Sequence, residues 1–538
     1  VPFTVSLGRE TEPAISPDGQ KVAFCQTGDI YLQQAGGETA LQLTDTPEPE
    51  SSPAWSPDSS QIAFCRKGKA GFTIHVKEAL GGPEHKLGES TSACALDWSP
   101  NGEFLAFVDK ASGDEPQSIY SLSIRTRERR RLTSPPLGSW DGNPAFSPGG
   151  RTLAFTRARH PWAHHIYLLP LEPDGASTRE PKRLTSEYLG ISGLDWAADG
   201  RSIVFSGPLV GARPGLWRVA VSGGEPRGLI RGDDLRQPSI SRQGDRLVYI
   251  KSESYGNICR VPGPNATAVA SGGKGGSPEL LISSTAKDGW PKYSPDGKKI
   301  VFFSTRFGSA GIWKCNSDGS NPVRLTELRC MRPHSWSPNG GSVAYDSDYE
   351  DIGNPDIYVV SAEGGPRRRL TIHDRADNYP SWSQDGKWVY FSSDRSGDHQ
   401  IWRIPSEGGT AEQVTRNGGY EAFESADGRF IYYIKEYSVP EIWKVPVEGG
   451  EETRVLEDGE EDHWDLNKDG ICFIAGRLRG RRAIKFFRFS SQQIEHVAEL
   501  PEGTQFGQGL SVSSDGLWIL YTRLERWESD LMLVENFH

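Results

Sequence analysis

Apolar positions along this chain come in short bursts of β-branched and aromatic residues, with no sustained 3.6-residue spacing that would make a helical face. Lys299-Ile300-Val301-Phe302-Phe303 and Gln400-Ile401-Trp402-Arg403-Ile404-Pro405 are representative, and both favour a pleated, packed strand. One pattern governs the bursts. It reads roughly Pro-x-Trp-Ser-Pro-Asp-Gly-x-x-Ile-Ala-Phe, then Ile-Tyr/Trp-x-Val, then Gly-Gly-x-x-x-x-Leu-Thr. It recurs twelve times, its turn beginning at Ser16, Ser56, Ser99, Ser147, Ala197, Ser241, Ser294, Ser337, Ser383, Ser425, Asn467 and Ser513. The mean spacing of about 45 residues falls in the range of propeller blades.

Each repeat predicts four antiparallel strands. The first is short, as in Pro53-Ala54-Trp55-Ser56, and Ser-Pro-Asp-Gly then puts Pro second and Gly fourth in a type I turn. Dipeptides such as Gly36-Gly37, Gly364-Gly365 and Gly449-Gly450 turn the third strand into the fourth, where glycine takes positive φ at little cost. So small a sheet cannot bury two faces alone, so the blades stack around an axis and share cores. The expected fold is all-β: a β-propeller of twelve four-stranded blades. An open solenoid would need polar capping repeats, and none is visible.

Strand order bears on ring closure. Pro2-Phe3-Thr4-Val5-Ser6 stands where a fourth strand belongs, and the chain ends in a third strand at Leu531-Met532-Leu533-Val534. The same phase recurs at mid-chain, where Asn257-Ile258-Cys259-Arg260-Val261 precedes a Gly/Ser/Ala-rich stretch and Glu279-Leu280-Leu281-Ile282 follows it. Read as a linker, that stretch divides the chain into two tandem six-bladed propellers, 1–262 and 279–538, joined by 263–278, each closed by its N-terminal strand. One twelve-bladed ring is the alternative, and so are unequal rings with the chain returning to close the first. Observed rings carry about four to eight blades, which favours two.

Composition agrees with a turn-rich fold, with 61 Gly, 37 Pro and 16 Trp in 538 residues and only 36% apolar. No run is long enough to span a membrane. A net charge of −11 argues against direct nucleic-acid binding, which needs cations along the phosphates. Seven scattered cysteines without a Cys-x-x-Cys pair suggest neither a disulfide framework nor a zinc ribbon, and most read as buried small apolar residues. The chain opens on Val1 rather than Met, the expectation being a mature or trimmed product.

The repeat resembles the TolB-type propeller repeat of bacterial proteins, also found in tricorn protease, prolyl oligopeptidases and oligogalacturonate lyases. Its clearest copies are Tyr379-Pro380-Ser381-Trp382-Ser383-Gln384-Asp385-Gly386 and Trp290-Pro291-Lys292-Tyr293-Ser294-Pro295-Asp296-Gly297, and it fades at Gly149-Gly150, Gln243-Gly244 and Asn467-Lys468-Asp469-Gly470. The resemblance implies a bacterial, extracytoplasmic or periplasmic protein that binds peptides or partner proteins, or a sensor half of a regulator. It specifies architecture and little chemistry.

Catalytic signatures are absent: no Gly-x-Ser-x-Gly, no phosphate loop, no His-Glu-x-x-His. Gly272-Gly273-Lys274-Gly275-Gly276 lacks the Ser/Thr and helix of a phosphate cradle. The His160, His164, His165 hairpin and the acidic Asp346 to Asn354 hairpin read as surface loops rather than metal sites. Arg129-Arg130-Arg131, Arg367-Arg368-Arg369 and the run from Arg477 to Arg488 read as charged outer edges that discourage edge pairing. No cofactor or metal is expected.

Loops entering the first strands converge on one channel mouth. In the first half they carry Glu10, Glu12, Glu48, Glu50, Asp141, Asn143, Asp234 and Arg236, an acidic ring. In the second they carry Trp290, Arg332, His334, Tyr379, Tyr420, Glu421, Asp462 and His463, the composition of binding hot spots. The expectation is a monomeric, non-enzymatic binding or sensing module for a protein, peptide or carbohydrate. The runner-up is a metal-dependent enzyme resembling oligogalacturonate lyase through His334 and His463; a third reading is an accessory gate for a catalytic domain outside this chain.

Overall fold

The computed structural model describes the chain apart from residues 1–2, 4–8, 70, 93–94, 113–114, 137, 161–162, 178, 186–189, 208–214, 233, 244, 267–277, 307–309, 327–331, 349, 351–353, 437–438, 459–461, 476–481, 502–503 and 538, and apart from the side chains of 159, 160, 163, 254, 505, 526 and 527. Every named element is a β-strand. Ten four-stranded antiparallel sheets each follow the sequence order of one repeat. Residues 267–277 of the expected linker, the outer residues of the His160 hairpin and the middle of the Asp346 to Asn354 hairpin lie outside the described residues. So do most of the N-terminal strand and part of the Arg477 to Arg488 run.

The repeat residues build the blade locally. In the turn, the serine hydroxyl donates to the aspartate two positions on, as in Ser56 to Asp58 and Ser294 to Asp296, both 2.6 Å, and accepts a backbone N–H five positions on. The Thr of Leu-Thr is buried, and its hydroxyl accepts a third-strand N–H, as in Ile30 to Thr44 and Ile312 to Thr326. First-strand tryptophans tie blades together: Trp55, Trp196 and Trp336 donate their indole N–H to carbonyls of the preceding first strand, Ala14, Ala145 and Lys292. Alternating residues on the second and third strands bury against the neighbouring blade, giving one apolar cluster per interface, such as Ala23, Ile30, Trp55 and Phe64.

A second repeating device joins the inner strand to the second. A carboxylate at its start pairs with an arginine just past the second-strand phenylalanine: Glu50 with Arg66, Asp141 with Arg157, Asp288 with Arg306, Asp377 with Arg395. Each guanidinium also lies over that phenylalanine, Phe64, Phe155, Phe302 or Phe391.

The chain forms two compact units, Val1–Glu253 with Trp527–His538, and Ser254–Arg526. This differs from a division in sequence order at 262 and 279. The strand Arg246–Pro262 runs unbroken where a hairpin between second and third strands was expected, and Trp518–Glu535 does the same in the last repeat. In the last repeat Thr522 to Asp530 hold no Gly, Pro or Asn to turn the backbone, whereas Arg246–Pro262 runs on through Gly256-Asn257.

In the first unit, Leu235–Ile240 and the start of Arg246–Pro262 therefore share a blade with the last part of Trp518–Glu535; Val248 and Ile250 pack with Leu531 and Leu533. Phe3 adds to it through its N–H to the Leu531 carbonyl at 2.7 Å. In the second unit, Gln505–Val512 pairs with the start of Trp518–Glu535, and Ile258 to Val261 pack with Ile519 to Tyr521 before Glu279–Ile282 follows as the outer strand. First strands touch in cyclic order: in unit one Glu10–Ile15, Glu50–Trp55, Leu96–Trp98, Trp140–Phe146, Gly193–Trp196 and Leu235–Ile240, which returns to Glu10–Ile15.

Candidate functional site

First strands begin at the channel mouth, and there the backbone is irregular. Register shifts interrupt most first-strand pairings, and residues at the shift take positive φ just before a proline: Glu12, Ser52, Asn143 and Gln237 in the first unit, Trp290 (48°) and Tyr379 (55°) in the second. Positive φ suits glycine; for bulky aromatics it costs on the order of 1–3 kcal/mol and re-aims the side chain. Glu421 (25°), Asp462 (60°) and Gly509 (106°) share this conformation.

In the second unit the first strands are Asp288–Tyr293, Arg332–Trp336, Asp377–Trp382, Tyr420–Glu424, Trp464–Asn467 and Gln505–Val512. Arg332 is the centre of the mouth. Its Nη1 donates to Asp462 Oδ2 at 2.9 Å, and its guanidinium lies 5.4 Å from the ring centroids of both Trp290 and Tyr379. His334 is buried, its Nε2 3.3 Å from Asp346 Oδ2, its ring edge-on to Tyr379 at 5.4 Å. Burial opposes charge on Arg332, yet Asp462, with Tyr379 and Asp346, outweighs it and holds the guanidinium well above its ordinary value. Burial likewise works against ionised Asp346, but His334 and Arg332 hold its carboxyl below the usual range.

Glu421 fixes the rim, its Oε2 accepting the Asp462 N–H and the Trp464 indole N–H, both at 2.8 Å. The Tyr420 ring lies 4.7 Å from that of His399. His463 is half-buried beside Asp462, and its carbonyl accepts the Ile474 N–H. Among the described residues no group of three His, Cys, Asp or Glu side chains converges as a metal site. The structure thus gathers Trp290, Arg332, His334, Tyr379 and Asp462 into one cluster, with Glu421 behind it.

Sequence reasoning missed three members. Asp346 lies on the second strand rather than in a loop, Gly509 packs beneath Trp290, and Lys292, one layer deeper, reaches Asp465 at 3.6 Å and lies 4.9 Å over Phe423. The first unit's acidic ring resolves into internal partners instead: Glu50 and Asp141 hold their arginines, Asp234 pairs with Arg236 at 2.5 Å, and Glu12 accepts the Ser52 N–H at 2.6 Å. Of the basic runs, Arg129–Arg131 and Arg368–Arg369 are outermost strands as expected. Cys25, Cys259, Cys315 and Cys472 are free and buried, whereas Cys65 is disulfide-bonded.

Rings of four-stranded antiparallel blades around a first-strand mouth define a β-propeller. The chain belongs to the TolB β-propeller domain family, whose model matches residues 69–280 and 329–439. It is similar to an uncharacterized protein of Agrobacterium fabrum (34% identity over 23% of this chain and 41% of the relative) and to a TolB homologue of Chlorobaculum tepidum (29%, over 24% and 29%). It is also similar to an uncharacterized peptidase of Bacillus subtilis (29%, over 38% and 28%). The chain spans less than half the length of each of these three. Among the described residues no helix is long and apolar enough to cross a membrane.

Proposed function

We propose that the chain is a non-enzymatic binding module of an extracytoplasmic protein, and that it recognises a peptide, sugar or partner protein at the mouth of the second unit. The observation that carries this reading is the pair of left-handed aromatics, Trp290 and Tyr379, clamped on Arg332. Folding alone does not need bulky residues there, since other first strands meet the same turn with Ser52 or Asn143. Backbone strain gathers at ligand sites, and aromatic and arginine side chains are the residues that binding hot spots favour. A disulfide at Cys65 fits an oxidising compartment.

The test is capture from bacterial envelope extract with the whole chain, because the units interleave and cannot be cut at 262. A Trp290→Ala, Tyr379→Ala double variant with an unchanged melt should lose the captured species; retained capture would refute the mouth. The likeness to a peptidase supports a second reading, a propeller that gates a catalytic domain outside this chain. Peptide hydrolysis by the purified chain would overturn both, since neither assigns it catalysis.

A further inference from the structure

The Arg332 to Asp462 ion pair joins opposite sides of one ring. Arg332 starts the second first strand of this unit and Asp462 stands at the head of the fifth; Trp290 and Tyr379 come from the first and third. The contact therefore lies across the mouth as a bar, gripped on both flanks by aromatic rings. Beneath it Lys292 makes a parallel reach from the first sheet to Asp465 on the fifth. Both cations end on the same blade.

Two features make this bar more than a structural pair. Asp462 is fixed by its main chain, at positive φ, with its N–H given to Glu421 and its carbonyl receiving the Gly509 N–H at 2.8 Å. Its carboxylate oxygen Oδ2 engages Nη1 of Arg332, one corner of a planar fork that can grip a carboxylate with two parallel N–H groups. The Trp290 ring lies 5.4 Å from that guanidinium, and its indole N–H is buried with no acceptor among the described residues. A buried donor left without a partner is costly, and a ligand oxygen placed there removes that cost.

We propose that the mouth is a carboxylate-binding site closed by its own Asp462: Arg332 is the receptor, and an acidic group of a peptide partner takes the place of Asp462 while accepting from the Trp290 indole. This rests on the reading of the second-unit mouth as the binding surface. Binding is then an exchange of one carboxylate for another. Removing the internal competitor strengthens it, and removing the fork abolishes it.

The experiment titrates the full chain with labelled N-acetyl hexaglutamate amide, hexaglutamine amide, hexaglutamine with a free C-terminal carboxylate, and hexalysine amide. Wild type, Asp462→Asn, Arg332→Gln, Arg332→Lys and Trp290→Ala are compared, each checked by thermal melt. Hexaglutamate should bind, about tenfold tighter to Asp462→Asn, weaker to Arg332→Lys and not at all to Arg332→Gln. The free-carboxylate hexaglutamine tells a chain terminus from an acidic side chain as the source. Should Asp462→Asn fail to fold, the Lys and Gln variants still decide the receptor. Hexaglutamate binding that ignores Arg332, or no binding of either carboxylate peptide, overturns the inference. Hexalysine binding lost in Trp290→Ala would overturn it while sparing the mouth as a binding surface; binding indifferent to every mouth substitution would overturn both.

Discussion

Gly509 lies directly under Trp290: a β-carbon added to it would stand 2.4 Å from the Trp290 α-carbon and 2.8 Å from its nitrogen. The last first strand of the second unit can approach the first only because this residue has no side chain, and its φ of 106° also suits glycine. Backbone cannot give way as a flexible side chain would. Gly509→Ala should therefore cost at least about 2 kcal/mol. Urea unfolding should show the loss in the transition of the second unit, and an unchanged midpoint would contradict the close approach.

Arg395 grips both oxygens of buried Asp377, at 2.7 and 2.8 Å, between Phe391 and Trp402. Removing one partner leaves the other charge stranded, a loss of about 3–5 kcal/mol, whereas replacing both with apolar residues of like volume costs far less. Asp377→Leu should thus be more damaging than the Asp377→Leu, Arg395→Met pair, as read by chemical denaturation. Equal losses would mean that the lock acts through packing alone.

These locks were legible in the sequence without being read. The carboxylate and arginine recur 16 residues apart at Glu50 and Arg66 and at Asp141 and Arg157, and 18 apart at Asp288 and Arg306 and at Asp377 and Arg395. The sheets and turns follow directly from the repeat, since Ser-Pro-Asp-Gly and Leu-Thr each close a bond within one blade. What spans blades was less visible. Arg332 and Asp462 are 130 residues apart, and nothing in either local pattern names the other. Likewise nothing local announced the unbroken strand at Arg246–Pro262, which runs through Gly256-Asn257, and strand phase alone fits rings closed in sequence order equally well. The x-Pro steps at Trp290-Pro291 and Tyr379-Pro380 carry a bulge signal that went unread, because proline inside a strand cannot donate to the ladder.

Two carboxylates in the first unit tie neighbouring first strands, Asp97 accepting the Phe146 N–H at 2.6 Å and Asp195 the Ile240 N–H at 2.7 Å. Burial pushes Asp97 up to about 6, and burial with the nearby Asp97 charge pushes Asp195 up to about 7, against those hydrogen bonds and Arg242. A carboxyl raised on folding binds its proton more tightly in the native state. Its contribution is full below the usual carboxylate value of about 4 and is lost as pH rises through 6 and 7. The difference in melting temperature between wild type and Asp195→Asn should shift in favour of the variant as pH goes from 4.5 to 8; a difference flat across that range would refute the shift.

Cys65 should resist alkylation in denaturant until a reductant is added, while Cys25, Cys259, Cys315 and Cys472 react at once on unfolding. Peptide mass mapping with and without dithiothreitol reads this directly. Immediate labelling of Cys65 would remove the argument for an oxidising compartment.

At Tyr379 the ordinary ranking of small residues should invert. Glycine is normally the less stable choice because its unfolded chain is freer, by about 0.4–1 kcal/mol relative to alanine. A left-handed backbone, however, costs an L-residue roughly 1–2 kcal/mol that glycine does not pay. With φ at 55°, Tyr379→Gly should be more stable than Tyr379→Ala, although both lose the ring over Arg332 and its edge contact with His334. The two properties then separate. If the strain serves recognition, the glycine variant regains stability without regaining ligand, because the re-aimed aromatic face is what the strain holds in place. An alanine variant more stable than glycine would place Tyr379 in ordinary extended backbone, and the mouth would lose the feature that sets it apart from packing.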